Sequence, residues 1–491
     1  LLADGGATTD FLVDDTALTA LTGNILLQAQ RDIIALEDTD LNFANQTLDT
    51  TVTLEANRDI NLNERITTNG GSIELKAGQN ISIQSLQTLD LFTGIDIPTD
   101  VGSITLNANG DITATRIGSG ELFFGVTGEN ITIISSKGTI NVSDFDSAGS
   151  GDLTLTAAGD IVITGNILKG TNGGNVAGGD IIITSFEGKV DTSAALIQLG
   201  AAFRVNGGDL TITAASDITT GEIDVTAQGS ITLNSGGAIN TTLGTITTAN
   251  IGAGGDVFLY AAGDIKTAGI NTSANMGGDI ILTSGGTIDA TAGILNAAGG
   301  ENGGNITLKA PRDISTGEIT SFLSGFSGNS GNISITSENG NIDTSQGALI
   351  TASAFGTGGD ITLDAADSIT AAQIDAFSET STGGEIQLTA NNVITLGGDI
   401  ATNQNNLIFN GSVILADDIS ITLSGIGDIT FHDTIDGTQN LTLQTENGII
   451  EFNDIIGGST PLNNLIVQGN ITDNPIGVNI TAINNIITDN L

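Results

Sequence analysis

The sequence contains no cysteine, no tryptophan, one histidine and four prolines in 491 residues. The absence of cysteine excludes disulfide bonds and thiolate zinc sites, so stability must come from other contacts. The single histidine, His432, stands in Phe431-His432-Asp433. A single histidine, with no motif around it that supplies the other members, does not support a Ser-His-Asp triad or a histidine-based zinc site.

Basic residues are also scarce. Lys and Arg total 12 against 56 Asp and Glu, which gives a net charge of −44. The electrostatic field of such a negative charge repels nucleic acid and anionic membrane surfaces, so we expect no nucleic-acid partner. No apolar run approaches the roughly 18 residues of a membrane span, so we expect no transmembrane segment. The sequence starts at Leu1 without Met or a signal-peptide pattern, and we expect a mature chain or a fragment.

One short phrase recurs along the chain: a glycine, a small polar residue and an alternating apolar–polar run. Roughly 18 copies lie about 26 residues apart, within the repeat range of solenoids and propellers. Examples stand at 102–106, 208–212 and 359–363. A unit this small cannot bury its own apolar face, so the fold must come from stacking.

Each repeat predicts two strands at a nearly constant offset. The first strand has two inward apolar positions, such as Ile104 and Leu106, with threonine between them. A second strand starts eight residues after the first, as in the pairs Val52/Ile60, Ile306/Ile314 and Leu441/Ile449. The segment after the second strand varies in length, so the third side of each coil is elastic.

This pattern predicts an all-β fold, a right-handed parallel β-helix of roughly 18 coils of about 26 residues. A β-propeller is the alternative, but each of its blades needs four strands in roughly 40–50 residues. We expect an irregular segment over 1–20, a continuous repeat domain over 21–470 and an irregular or incomplete coil over 471–491.

An aspartate at the start of the first strand is the sharpest candidate for a binding site. It follows Gly-Gly at Asp180, Asp209, Asp256, Asp279 and Asp360. Stacked about 4.8 Å apart, these carboxylates would form a ladder that calcium could neutralise. Other copies carry at this position Ser230, Asn305, Asn332 or Glu385. Because short polar groups cap backbone turns, we favour a structural role, with calcium as the alternative and no other cofactor.

The acidic residues do not point to catalysis. The adjacent pairs Asp14-Asp15 and Asp417-Asp418 are poor acid/base partners, because neighbours on a strand point to opposite faces. The remaining acidic residues are spread evenly, and Tyr260 is the one tyrosine available for sugar stacking. We therefore expect no enzymatic activity, with a polysaccharide-acting β-helix enzyme as the alternative.

Two phrases carry a family resemblance: Gly-Asp-Leu-Thr-Leu-Thr-Ala-Ala-Gly-Asp-Ile at 151–161 and Gly-Gly-Asp-Ile-Thr-Leu-Asp-Ala-Ala-Asp-Ser-Ile at 358–369. They resemble the repeats of filamentous-haemagglutinin-like exoproteins, especially the cyanobacterial members, over roughly 20–470. The resemblance implies a right-handed β-helix and a role in adhesion or surface structure. It also implies two-partner secretion through an outer-membrane partner. The family's secretion domain, with its Asn-Pro motifs, is not recognisable here.

Together these features predict a non-enzymatic bacterial protein that is secreted or held at the cell surface and has a structural or adhesive role. The expected partners are host or neighbour-cell surface glycans or proteins, or further copies of the chain joined end to end into fibres. A calcium-dependent, surface-layer-like module is a further alternative.

Overall fold

The computed structural model describes residues 12–35, 40–43, 45–46, 49–88, 101–118, 130–147, 150–170, 178–200, 207–226, 228–249, 251–325, 328–473 and 486–488. The chain divides into two compact units, Leu1–Thr247 (unit 1) and Thr248–Leu491 (unit 2). Of the terminal segments predicted to be irregular, residues 1–11, 474–485 and 489–491 lie outside the described residues.

Unit 1 begins with a five-residue helix, α1 (Asp15–Thr19), whose N-cap is Asp14. Its strands are β1 (Ile25–Ala29), β2 (Ile33–Ile34), β3 (Leu41–Phe43), β4 (Thr51–Ala56), β5 (Ile60–Thr68), β6 (Ser72–Ala77), β7 (Ile81–Gln87), β8 (Ile104–Ala108), β9 (Ile112–Gly118), β10 (Ile131–Ser135), β11 (Ile140–Ser147), β12 (Leu153–Ala157), β13 (Ile161–Ile163), β14 (Ile167–Lys169), β15 (Ile181–Ser185), β16 (Val190–Thr192), β17 (Ile197–Leu199), β18 (Leu210–Ala214), β19 (Ile218–Thr220), β20 (Ile223–Val225), β21 (Ile231–Ser235), β22 (Ile239–Thr241) and β23 (Ile246–Thr247).

The strands of unit 2 are β24 (Val257–Ala261), β25 (Ile265–Thr267), β26 (Ile270–Asn271), β27 (Ala274–Met276), β28 (Ile280–Ser284), β29 (Ile288–Ala290), β30 (Leu295–Asn296), β31 (Gly299–Asn302), β32 (Ile306–Ala310), β33 (Ile314–Thr316), β34 (Ile319–Thr320), β35 (Ile333–Ser337), β36 (Ile342–Thr344), β37 (Leu349–Ile350), β38 (Ile361–Ala365), β39 (Ile369–Ala371), β40 (Ile374–Asp375), β41 (Ile386–Leu396), β42 (Ile400–Asn403), β43 (Leu407–Leu415), β44 (Ile419–Ser424), β45 (Ile429–Phe431), β46 (Ile435–Asp436), β47 (Asn440–Phe452), β48 (Asn464–Asp473) and β49 (Ile486–Thr488).

In each unit the strands pair in parallel as three stacks, one for each side of the coil. We call them the first, second and third stacks, in the order in which the chain passes through them. Register pairs in unit 1 are Ile104–Ile131 in the first stack, Ile112–Ile140 in the second and Ile117–Phe145 in the third. This confirms the predicted all-β solenoid of stacked parallel strands, with a number of turns close to the one expected.

Strict alternation along each strand builds the core. In β12 the side chains of Leu153, Leu155 and Ala157 are buried, while the threonines between them face outward. Burying one leucine or isoleucine contributes about 1.5–3 kcal/mol, and every coil supplies several. The interior of each unit is therefore a column of stacked side chains that are mostly aliphatic, with a few buried phenylalanines among them.

The predicted two-strand offset is wrong at Leu441 and Ile449. Leu441 pairs with Ile419 in the third stack, instead of starting a first strand. Ile450 is the residue that pairs with Ile429 in the first stack, and it is buried, whereas Ile449 is 38% exposed. The cause is a tight corner within β47, where Gly448 and the Thr445 hydroxyl hydrogen-bond each other and shift the phase of the alternation.

In unit 2, the described residues include a fourth side of the coil. The segments that follow the third strand stack on one another as β27 on β31, and then through isolated bridges such as Gly299–Leu323 and Leu323–Ser353. The part of the repeat that varies in length is thus itself ordered in coils. From this fourth side the chain returns to the first stack through a glycine-rich corner, and the candidate site lies at that corner.

Candidate functional site

The five predicted aspartates lie at the corner before the first stack, two in unit 1 and three in unit 2. Each Oδ1 accepts a hydrogen bond from the backbone N–H of the equivalent residue one coil later. The pairs are Asp180 with Asp209 (2.9 Å), Asp209 with Ser230 (2.8 Å), Asp256 with Asp279 (2.8 Å), Asp279 with Asn305 (2.7 Å) and Asp360 with Glu385 (2.8 Å). We call this row the first corner ladder.

Asparagine serves the first corner ladder in the same way as aspartate. Oδ1 of Asn305 accepts the N–H of Asn332 at 3.0 Å, and Oδ1 of Asn332 accepts the N–H of Asp360 at 2.8 Å. The position therefore requires an acceptor oxygen, which satisfies a backbone N–H just outside the strand. Among the described residues, no group of three or more His, Asp or Glu side chains could hold a metal ion. Calcium at this ladder stays a prediction.

A second corner ladder precedes the second stack. Oδ1 of Asp264 accepts the N–H of Thr287 at 2.8 Å. The backbone N–H and the side chain of Thr287 lower the pKa of Asp264. At Asp32, burial raises the pKa, but the hydrogen bonds from Arg58 (3.0 and 2.7 Å) and from the N–H of Asp59, together with the charges of Arg58 and Arg31, lower the pKa overall. The carboxylates of Asp32 and Asp264 are therefore stabilised as anions, and they accept hydrogen bonds at the corner before the second stack.

A concave surface lies in unit 2, where the fourth side returns to the first stack. This polar groove has a volume of about 430 Å³. Its lining residues come from five successive coils and are Gly, Asn, Ser and Thr, with Asp360 as the one charged residue among them. The inner wall is the first corner ladder at Asn305, Asn332 and Asp360.

The outer wall of the polar groove is a further row of hydrogen bonds. Oδ1 of Asn302 accepts the N–H of Asn329 at 3.1 Å, and Oδ1 of Asn329 accepts the N–H of Thr357 at 3.4 Å. Thr382 continues this wall in the next coil. Two rows of polar side chains therefore run in parallel, with glycines between them.

The glycines between the two walls follow from the close approach of adjacent coils. A Cβ at Gly331 would lie 2.1 Å from the carbonyl oxygen of Gly304, and one at Gly384 would lie 1.9 Å from that of Gly359. No side chain can be accommodated at such distances. The open floor of the groove is thus a consequence of how the coils stack.

Asn302 and Asn329 were not among the predicted site residues, although the sequence carries a signal for them. Each stands three residues before a member of the first corner ladder, in Asn-Gly-Gly-Asn at 302–305 and Asn-Ser-Gly-Asn at 329–332. The next two coils carry Thr-Gly-Gly-Asp at 357–360 and Thr-Gly-Gly-Glu at 382–385. A polar residue three positions before the ladder residue marks the outer wall.

The remaining acidic candidates do not come together. Burial raises the pKa of Asp224 in unit 1 and of Asp375 in unit 2, each on a third-stack strand. Asp418 accepts the N–H of Asn440 at 2.8 Å, while Asp14 caps the short helix. His432 is exposed, with Nδ1 3.5 Å from Nδ2 of Asn453.

Tyr260 lies on the outward face of the first stack of unit 2. Its ring stacks on that of Phe258, with centroids 6.3 Å apart and planes 7° apart. Tyr260 is 38% exposed. This pair is a small aromatic surface on a face that is otherwise rich in threonine.

No helix among the described residues is long and apolar enough to cross a membrane. Comparison of the chain with models of protein families, with curated proteins and with solved structures found no match. The function of the chain is therefore inferred from the fold and from the corner ladders.

Proposed function

We propose that this chain is a non-enzymatic structural or adhesive β-solenoid that acts outside the bacterial cell, at its surface or as a secreted protein. The observation that most favours this role is the use of the corner carboxylates. Coil after coil, Asp180, Asp279, Asp360 and their equivalents serve as acceptors for backbone N–H groups. These carboxylates form hydrogen bonds that hold adjacent coils together.

A stacked surface suits adhesion because equivalent groups recur at each coil. Thr105, Thr132 and Thr154 are in register on the outward face of unit 1. Weak contacts at many such positions add up when a ligand engages several of them at once. Surface glycans or proteins of host or neighbouring cells are the proposed ligands, and end-to-end assembly of copies is the proposed route to fibres.

The proposal is tested with the purified chain carrying a fluorescent label. We expect saturable binding to cell surfaces or to glycan-coated plates, and competition by unlabelled chain. Absence of binding to every surface, together with absence of filaments by electron microscopy, would contradict both the adhesive and the structural role. In the source bacterium, recovery of the chain from the cytoplasmic fraction alone would contradict the proposed location.

The enzymatic alternative is tested on the same preparation. Release of new reducing ends from acidic or neutral polysaccharides, with turnover above one per chain, would replace the adhesive proposal by a polysaccharide-acting enzyme. We expect no release.

A further inference from the structure

We propose that the polar groove of unit 2 binds an extended, neutral, hydroxyl-rich polysaccharide chain. This inference rests on the proposed adhesive function and names a site and a ligand class for it. It follows from which amide atoms of the asparagine side chains on the two walls already form hydrogen bonds within the protein.

The backbone fixes which end of each amide faces the groove. The Oδ1 atoms of Asn302, Asn329 and Asn332 accept backbone N–H groups, and an N–H donor can be met only by the amide oxygen. The Nδ2 group of each must therefore point away from that bond. Within the described part of the chain, these three Nδ2 groups donate to no protein atom, and all three residues are exposed.

The groove thus presents amide donors on both of its walls, repeated along the coils. Successive coils lie about 4.8 Å apart, so the five coils that line the groove span about 19 Å. Hydroxyl oxygens accept hydrogen bonds from amide donors, and Thr357 and Thr382 add hydroxyl groups that both donate and accept. A polymer whose own short repeat displays hydroxyl groups matches this regular array better than a single sugar does.

The composition of the groove favours a neutral glycan over other extended polymers. An anionic glycan would meet Asp360 within the groove and a chain of net charge −44 around it. A peptide strand would need pockets for alternate side chains, whereas the short Gly, Asn, Ser and Thr residues of this groove form no such pockets. The glycine floor lets a flat ligand approach the backbone closely.

Aspartate in place of asparagine gives a specific test. The triple variant Asn302→Asp, Asn329→Asp, Asn332→Asp keeps every Oδ1 acceptor and removes the three donors. The fold tolerates aspartate in successive coils of such a ladder, since Asp152, Asp180 and Asp209 follow one another in unit 1. The matched control is Asn107→Asp, Asn130→Asp, Asn234→Asp, which makes the same charge change at exposed positions of unit 1.

The probes are cellopentaose, maltopentaose and mannopentaose, with pentagalacturonate and a Gly-Ser peptide as comparisons. Binding to the full chain is measured by calorimetry and by saturation-transfer NMR. We expect at least one neutral pentasaccharide to bind more tightly than its monosaccharide. With each donor contributing about 1 kcal/mol, the triple variant should bind at least about tenfold more weakly. The control should stay within about twofold of the wild type, well below the effect of one lost hydrogen bond.

Four results would overturn the inference: no binding of any neutral pentasaccharide, tighter binding of pentagalacturonate or of the peptide, equal affinity in the triple variant, or an equal loss in the control. If the triple variant does not fold, the single variant Asn329→Asp serves instead, because it keeps the Oδ1 acceptor for the N–H of Thr357 and removes one donor. Its affinity should be about fivefold weaker than that of the wild type, and equal affinity would overturn the inference. Cell adhesion that survives in the triple variant would remove the groove proposal and leave the adhesive function standing.

Discussion

At the scale of single residues, close coil-to-coil contact makes some glycines irreplaceable. In Gly331→Ala the new Cβ would lie 2.1 Å from the oxygen and 2.4 Å from the carbonyl carbon of Gly304, both backbone atoms that cannot rotate away. We expect a loss of about 1–3 kcal/mol or more in the free energy of unfolding, measured by urea denaturation. Gly397→Ala is the control, since its nearest contact would be at 3.5 Å. Equal stability of the two variants would contradict this account.

Asp375 is expected to oppose folding at neutral pH. Burial raises its pKa, and the hydrogen bond from the N–H of Phe377 only partly offsets this. Because the folded-state pKa lies above the unfolded one, stability falls as the pH rises from the ordinary aspartate pKa of about 3.9 through the folded value. At lower pH the carboxyl is protonated in both states and the penalty is absent.

Asp375→Asn keeps the acceptor oxygen for Phe377 and removes the charge. We expect a higher urea midpoint than wild type at pH about 7, and a gain that shrinks towards zero as the pH falls to about 3.5. A gain that is the same at both pH values, or a lower midpoint at neutral pH, would show that the charge of Asp375 does not set the effect.

At the scale of elements, the first corner ladder separates a structural role from calcium binding. Asp279→Asn keeps the acceptor for the N–H of Asn305, whereas Asp279→Ala removes it. We expect the asparagine variant to match wild type and the alanine variant to lose about 0.5–1.5 kcal/mol. Melting temperatures of wild type with calcium and with chelator should be equal. A melting temperature raised by calcium in wild type, and unchanged by it in Asp279→Asn, would assign the ladder to calcium.

Alternation and glycine spacing sufficed to predict the strands of the first and second stacks, because each inward pair buries apolar surface at period two. The shift at Leu441 and Ile449 could not be predicted in this way. There, the Thr445–Gly448 corner shifts the phase within one long strand, and the burial of Ile450 appears only when the strand is placed on Ile429. The five ladder aspartates were found from Gly-Gly-Asp, but their shared acceptor role depends on pairing between coils.

The polar groove could not be predicted from the sequence either, because it too depends on pairing between coils. Asn302 and Asn329 are 27 residues apart and meet only through the stacking of the fourth side. The sequence shows their recurrence, while the direction of each amide depends on which backbone N–H it meets. Contacts between coils thus decide what the groove can bind.

At the scale of the whole molecule, the net charge of −44 governs how copies of the chain meet. Like-charged copies repel over the Debye length, which is about 30 Å at 0.01 M salt and about 3 Å at 1 M. Self-association should therefore increase as salt screens the repulsion, and again as the pH approaches the isoelectric point near 4.1. Sedimentation velocity at the two salt concentrations measures the first effect, and electron microscopy shows whether the associated species are filaments.

Folded monomers at both salt concentrations and near the isoelectric point would rule out assembly of this chain and leave adhesion by single copies. Association that weakens as salt rises would show that attraction between opposite charges holds copies together, against the repulsion argued here.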